Sequence, residues 1–277
     1  MKKILVPCDF SKPAINAFRF AMDIARKSKG VVHLINVIEL PAIHDPIIMP
    51  VMTFEKGFMK ELKEKATSEF EKIITRYKPD GVTVKTDVLF GGPARMITEA
   101  VKNKSIDMII MGSHGASGLR EYFIGSNAEK VVRNSRVPVL VIKNYYKGAI
   151  KNIVFPNTLE TEKQRDLIRK VKELQAFFKA TVHIVYVNTP TNFTSDNITL
   201  ERLKQFAKQF EFKNYTLNVY NYPFEESGVI HFTGGIKGDL IAMGTHGRKG
   251  LAHFLNGSLA EDIVNHANSP IWTYVSK

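Results

Sequence analysis

Two stretches of the chain, Asp107-Met-Ile-Ile-Met-Gly-Ser-His-Gly115 and Asp239-Leu-Ile-Ala-Met-Gly-Thr-His-Gly247, repeat one another at an offset of 132 residues. The offset persists downstream, where Gly125-Ser126 matches Gly257-Ser258 and Val137-Pro138-Val139 matches Ser269-Pro270-Ile271. Upstream, Lys3-Ile4-Leu5-Val6-Pro7 resembles Asn152-Ile153-Val154-Phe155-Pro156, and His33 to Val37 resembles His183 to Val187, at an offset of 149–150. An internal repeat of this length means one domain written twice. The change of offset gives the first copy roughly 17 extra residues, and most of them fall at Pro41 to Pro50, where three prolines and no periodicity predict a loop. Domains of 1–145 and 150–277 follow, with the linker between Asn144 and Lys151.

Within each copy short apolar runs alternate with helical patterns. In the first, strands are expected near Lys3–Pro7, Val31–Ile38, Val82–Leu89, Asp107–Met111 and Val137–Ile142. Helices are expected over Lys12–Ser28, Phe54–Tyr77, Ala94–Asn103 and Ser126–Asn134. Val/Ile-rich runs without polar alternation indicate strands buried on both faces, hence a parallel sheet covered by helices. Right-handed crossovers then give an α/β, doubly wound fold whose ligand site lies at the carboxyl ends of the strands. The second copy repeats the scheme, although four glycines between Phe224 and Gly238 weaken its third helix. Val137 to Ile142 is the last strand of its sheet, and an open apolar edge invites aggregation. Ile271 to Val275 is the matching edge, so the halves are expected to pair there about a pseudo-twofold axis.

Composition narrows the class. A hydrophobic share of 44% with 24% charged residues argues for a folded globular chain. A single cysteine, Cys8, rules out an intrachain disulfide and a cysteine zinc site. No apolar run approaches the ~20 residues that span a bilayer, and the apolar start is too short for a signal peptide, so the expectation is a cytoplasmic protein with no membrane partner. The net charge of +12 divides as +9 over residues 1–147 and +3 over the rest. The basic residues alternate with Glu along amphipathic patterns, as in Glu61-Leu62-Lys63-Glu64-Lys65, and no aromatic residues interleave with them. Nucleic acid is therefore not the expected partner.

Each fourth strand runs into the same loop: Gly112-Ser113-His114-Gly115, nine residues, then Gly125-Ser126 opening a helix; and Gly244-Thr245-His246-Gly247, nine residues, then Gly257-Ser258. Glycine lets backbone N–H groups approach a ligand with no Cβ in the way. A helix start offers unpaired amides and the positive end of its dipole to an anion. Ser126 suits either a helix cap or a phosphate contact.

On these motifs the chain resembles a tandem universal stress protein. The nucleotide signature of that family, G-x2-G-x9-G-(S/T), stands complete in both halves, and Val6-Pro7-Cys8-Asp9-Phe10-Ser11 and Gly91-Gly92-Pro93-Ala94 are also typical of it. The resemblance implies two Rossmann-like domains of the adenine nucleotide alpha hydrolase-like type, each with five parallel strands. It implies ATP or another adenine nucleotide as ligand, with Mg as an accompanying ion. Pro7 and Val37 would frame the base, and Asp9 would contact the ribose or adenine. Met111, Gly112 and Gly115 would line the ribose and phosphates, and Gly125, Ser126 and Asn127 would hold the triphosphate. The same carry-over places Thr158, Val187, Met243, Gly244, Gly247, Gly257, Ser258 and Leu259 in the second copy, with Thr158 where the family has the aspartate. Asp9 also has two readings of its own: a carboxylate past the first strand that accepts from sugar hydroxyls, or an acid at a helix N-terminus beside the cap Ser11.

No G-x-x-x-x-G-K-(S/T) loop or G-x-S-x-G elbow is present, the loops hold few acids, and the histidines show no paired metal spacing. The sequence favours binding over turnover, so the leading expectation is an ATP-binding regulatory module of stress responses with a regulatory protein partner and a dimer of chains. A slow ATPase or phosphotransferase and a non-nucleotide scaffold are the alternatives.

Overall fold

Every expected alternation of strand and helix forms in the first half: β1 Lys3–Pro7, α1 Lys12–Ser28, β2 Val31–Ile38, α2 Met52–Tyr77, β3 Thr83–Phe90, α3 Pro93–Lys104, β4 Met108–Gly112, α4 Ser126–Asn134 and β5 Val139–Ile142. The second half supplies β6 Asn152–Pro156, α5 Arg165–Phe178, β7 Thr181–Asn188, α6 Asp196–Gln209, β8 Tyr215–Asn221, α7 Glu225–Gly235, β9 Leu240–Thr245 and β10 Ile271–Val275. The computed structural model describes residues 1–39, 52–113, 125–159, 164–245 and 269–275. The expected loop at Pro41 to Pro50 lies outside the described residues. Among those described, no helix is long and apolar enough to cross a membrane.

Local chemistry explains the boundaries. Ser11 caps α1 by accepting from the Ala14 amide, a proline stands in the first turn, and Lys29 closes the helix in the left-handed conformation. The aspartate that opens each repeated stretch clamps the start of a sheet. Asp107 accepts from the Lys2 and Lys3 amides at 2.5 and 3.0 Å. Asp239 accepts from those of Lys151 and Asn152, both at 2.8 Å. One expectation is corrected here: α7 forms despite its glycines. Val229 and Phe232 are buried on it, and that burial offsets the roughly 1 kcal/mol that each interior glycine costs a helix.

The ten strands make one sheet in the order β3-β2-β1-β4-β5-β10-β9-β6-β7-β8. All pairs within a half are parallel, and the halves meet through the antiparallel pair β5–β10, with Trp272 opposite Leu140. Both apolar edges are thereby satisfied. Two parallel half-sheets joined by one antiparallel seam are related by a twofold normal to the sheet. Accordingly, one core packs α1, α2, α5 and α6 on the same face of both halves. The opposite face carries α3, α4 and α7. Trp272, only 2% exposed, belongs to the first of these cores.

The linker is tied to both halves. Tyr145 donates to Asp23 of α1 at 2.8 Å, and the Arg19 guanidinium stacks 3.8 Å from its ring centre. Tyr146 donates to Asp239. Burial together with that carboxylate pushes the Tyr146 hydroxyl up to about 12.

Candidate functional site

The strand order reverses between the first and fourth strands of each half, and α1 and α4, which follow those strands in the first half, pack on opposite faces of the sheet and open a crevice at the carboxyl ends. In the first half that crevice lies between the ends of β1 and β4. Its lining brings together Pro7, Asp9, Val37, Met111, Gly112, Gly125, Ser126 and Asn127. These residues are 120 positions apart at the extremes of the sequence, and the switch of strand order alone makes them neighbours. Gly115 lies outside the described residues.

The chain leaves β1 by a sharp turn. Phe10 stands at φ 65°, a conformation that non-glycine residues seldom take, and its ring packs 5.3 Å from that of Phe70. This turn points Asp9 at the crevice mouth and starts α1. The Asp9 carboxylate accepts from the Ser11 amide at 3.1 Å and from the Ser11 hydroxyl at 2.6 Å. Asp9 thus steadies the helix start and lines the crevice at once. The two readings of this residue are geometrically compatible.

Across the crevice, Ser113 is fully buried, and its carbonyl accepts from the Gly125 amide at 2.7 Å. This bond ties the start of α4 to the tip of β4. Gly125 is the N-cap of α4 in an extended conformation and has no side chain to cap it. The first-turn amides of α4, at Ser126 and Asn127, therefore receive no cap of the kind that Ser11 gives α1. Uncapped amides at a helix start form an anion-receiving end.

Cys8 and Pro93, which stand in the quoted motifs without an assigned role, also line the crevice, as do Ala14, Asn36, Ile97 and Ala128, which carried no motif. Asn36 is a polar residue inside an apolar strand, a signal that the sequence does show; its side chain donates to the Cys8 carbonyl at 2.8 Å and fixes the floor. Burial pushes the Cys8 thiol up to about 12, with the Phe10 amide opposing and Asp9 adding to the rise. Cys8 is a neutral wall of the crevice at physiological pH, not a thiolate nucleophile.

In the second half Thr158, Val187, Met243 and Gly244 stand at or just past the carboxyl ends of the corresponding strands, while Gly247, Gly257, Ser258 and Leu259 lie outside the described residues. Leu159 repeats the left-handed turn of Phe10, also at φ 65°.

This geometry has named relatives. The sequence pattern of the Universal stress protein family matches residues 1–143 and 227–274. The chain belongs to the universal stress protein family. Universal stress protein MJ0531 of Methanocaldococcus jannaschii is 33% identical over 143 residues, which are 51% of this chain and 82% of that one. Universal stress protein MJ0577 of the same organism is 32% identical over 153 residues, covering 51% and 94%. A crystal structure of a universal stress protein from Archaeoglobus fulgidus aligns over 99% of this chain and 96% of that one, with a TM-score of 0.68 at 18% identity. The curated relatives match half of this universal stress protein, and the Archaeoglobus structure matches the whole two-half fold.

Proposed function

We propose that this universal stress protein binds an adenine nucleotide, ATP in the first instance, in the crevice of its first half and uses it as a regulatory signal in a stress response. The observation that carries the reading is the uncapped start of α4, set by Gly125 against the tip of β4 and facing the Asp9 turn across the strand switch. A nucleotide fits this donor set by parts. The α4 amides and the Ser126 hydroxyl are donors for phosphate oxygens. Asp9 is an acceptor for ribose hydroxyls. Pro7 and Val37 give the base two apolar contacts. The described walls enclose about 140 Å³, less than the ~300–1,000 Å³ of a whole small-molecule site. The described walls would thus be part of the site.

Binding fits the lining better than turnover. Among the described lining residues, Asp9 is the sole carboxylate and is engaged by Ser11, and the Cys8 thiol is protonated. The module boundaries that accompany this proposal are 1–145 and 150–277, with a regulatory protein as the reader of the bound state. Isothermal titration with ATP tests it on the wild type and on Gly125→Val, which puts a β-branched side chain beside the phosphate-facing amides. The expected result is saturable binding, weakened about tenfold or more by the substitution, as loss of hydrogen bonds to a charged group predicts. Absence of binding at millimolar nucleotide, or a variant that binds like wild type, overturns it.

A further inference from the structure

The pseudo-twofold that relates the halves also relates two grooves, one on each side of the β5–β10 seam. Their acids match. Asp239 and Asp107 open the repeated stretches, and each holds two strand-start amides through the same oxygen, Oδ2. Counting back six residues from the left-handed caps Lys29 and Lys179, which close α1 and α5, gives Asp23 and Glu173. On the linker side both acids are taken by consecutive tyrosines. Asp239 accepts from the Tyr146 hydroxyl through Oδ1, the oxygen that the amides leave over. Asp23 accepts from the Tyr145 hydroxyl at 2.8 Å. The two rings are half-buried, and Tyr146 packs against the core beneath them. The linker thus fills its groove with a tyrosine pair that joins α1 of one half to the sheet of the other.

On the other side of the seam the same arrangement has no such occupant among the described residues. Asp107 and Glu173 line a groove there together with Arg136 before β5, Leu174 of α5, and Trp272 and Tyr274 of β10. Among the described residues Asp107 Oδ1, the counterpart of the oxygen that takes Tyr146, has no hydrogen-bond partner. Asp107 is exposed where Asp239 is half-buried. The groove holds about 280 Å³, more than the roughly 150 Å³ of a cavity that admits a benzene ring. Its floor is apolar, with Leu174 and Trp272 1% and 2% exposed. At the repeat offset of 132, the residue matching Tyr145 is Lys277, so the second copy has no aromatic at that position.

We infer that this groove docks a tyrosine-bearing extended segment of a partner protein. The tyrosine hydroxyls donate to Asp107 Oδ1 and to Glu173, and the rings rest on the Leu174–Trp272 floor, as the linker tyrosines rest in the counterpart groove. The aromatic hydroxyl is the chemistry that fits, because it supplies a donor for each carboxylate and an apolar face for the floor. The groove lies at the starting end of β4, away from the crevice at its carboxyl end, so the inference does not depend on the nucleotide reading.

The linker sequence itself, the peptide Lys143-Asn-Tyr-Tyr-Lys-Gly148, is the probe, added in trans to the full chain. Trp272 is the chain's sole tryptophan and lines the groove, so its indole N–H gives one nuclear magnetic resonance signal that reports occupancy. The peptide is expected to shift that signal saturably. A peptide with both tyrosines replaced by phenylalanine is expected to bind about tenfold or more weakly, since hydrogen bonds to charged acceptors are lost. Glu173→Gln, at an exposed helix position, is expected to weaken the tyrosine peptide in the same direction. No saturable shift overturns the inference. Unchanged affinity for the phenylalanine peptide, or for the tyrosine peptide on Glu173→Gln, overturns it as well.

Discussion

Gly112 and Gly244 hold equivalent positions near the ends of β4 and β9, yet the structure assigns them unequal tolerance to the same added methyl group. A Cβ on Gly112 would lie 2.8 Å from the Ala14 nitrogen, 2.8 Å from the Pro13 carbonyl carbon and 2.9 Å from the Pro13 Cβ. Two of these atoms are backbone at the start of α1, so relief requires the helix itself to move. Among the described residues, the three atoms nearest a Cβ on Gly244 all belong to Leu167, with Cδ2 at 2.6 Å and the next two at 3.7 Å. That is the end of a side chain, and rotation relieves it. Neither glycine holds a left-handed φ, so Ala is conformationally permitted at both and each gains about 0.4–1 kcal/mol from a less flexible unfolded chain. Overpacking against fixed backbone costs about 1–3 kcal/mol. Gly112→Ala is therefore expected to be destabilised by up to about 2.5 kcal/mol net, a fall in Tm of up to roughly 5 °C for a chain of this length. Gly244→Ala is expected within about 1 kcal/mol of wild type. Because the displaced helix start carries Ala14 and follows directly on Asp9, Gly112→Ala is also expected to weaken ATP binding. Thermal unfolding and titration of the two variants side by side measure both effects. An equal or larger loss for Gly244→Ala would refute the claim that α1 is seated directly on β4.

Truncating Trp272 to Ala opens the seam core beside Leu140, and a loss of about 3–5 kcal/mol is expected in urea denaturation; a loss below about 1 kcal/mol would show that the seam does not hold the halves together. Burial, with Lys104 and Lys85 nearby, holds the His33 imidazole below its ordinary 6.5. On acidification the unfolded chain therefore takes up this proton before the folded one. Stability is full above pH 6.5 and declines as pH falls below it. His33→Leu is expected to flatten that decline as pH falls below 6.5, followed as Tm against pH. Parallel curves for variant and wild type would refute it. His183 is depressed in the same direction, chiefly by burial, so the slope is reduced and not abolished.

Sequence by itself determined the duplication, the alternation of elements and the glycine loops, because each is written in local pattern. Apolar runs fix buried strands, Ser11 fixes a helix start, and the paired glycine spacings survive in the letters of both copies. The α7 helix was not legible, because its local propensity is poor and only the burial of Val229 and Phe232 against the sheet decides it. Nor could spacing show that the aspartates opening the repeated stretches, Asp107 and Asp239, clamp strand starts at the far end of the sheet from the crevice. The amide network before α5 was equally hidden: Gln164 reads as an ordinary polar residue, and only the fold seats its side chain against Asn157 and Thr158. A motif records which backbone is available; which side chains occupy the space in front of it is a property of packing between distant segments, and that is decided only in three dimensions.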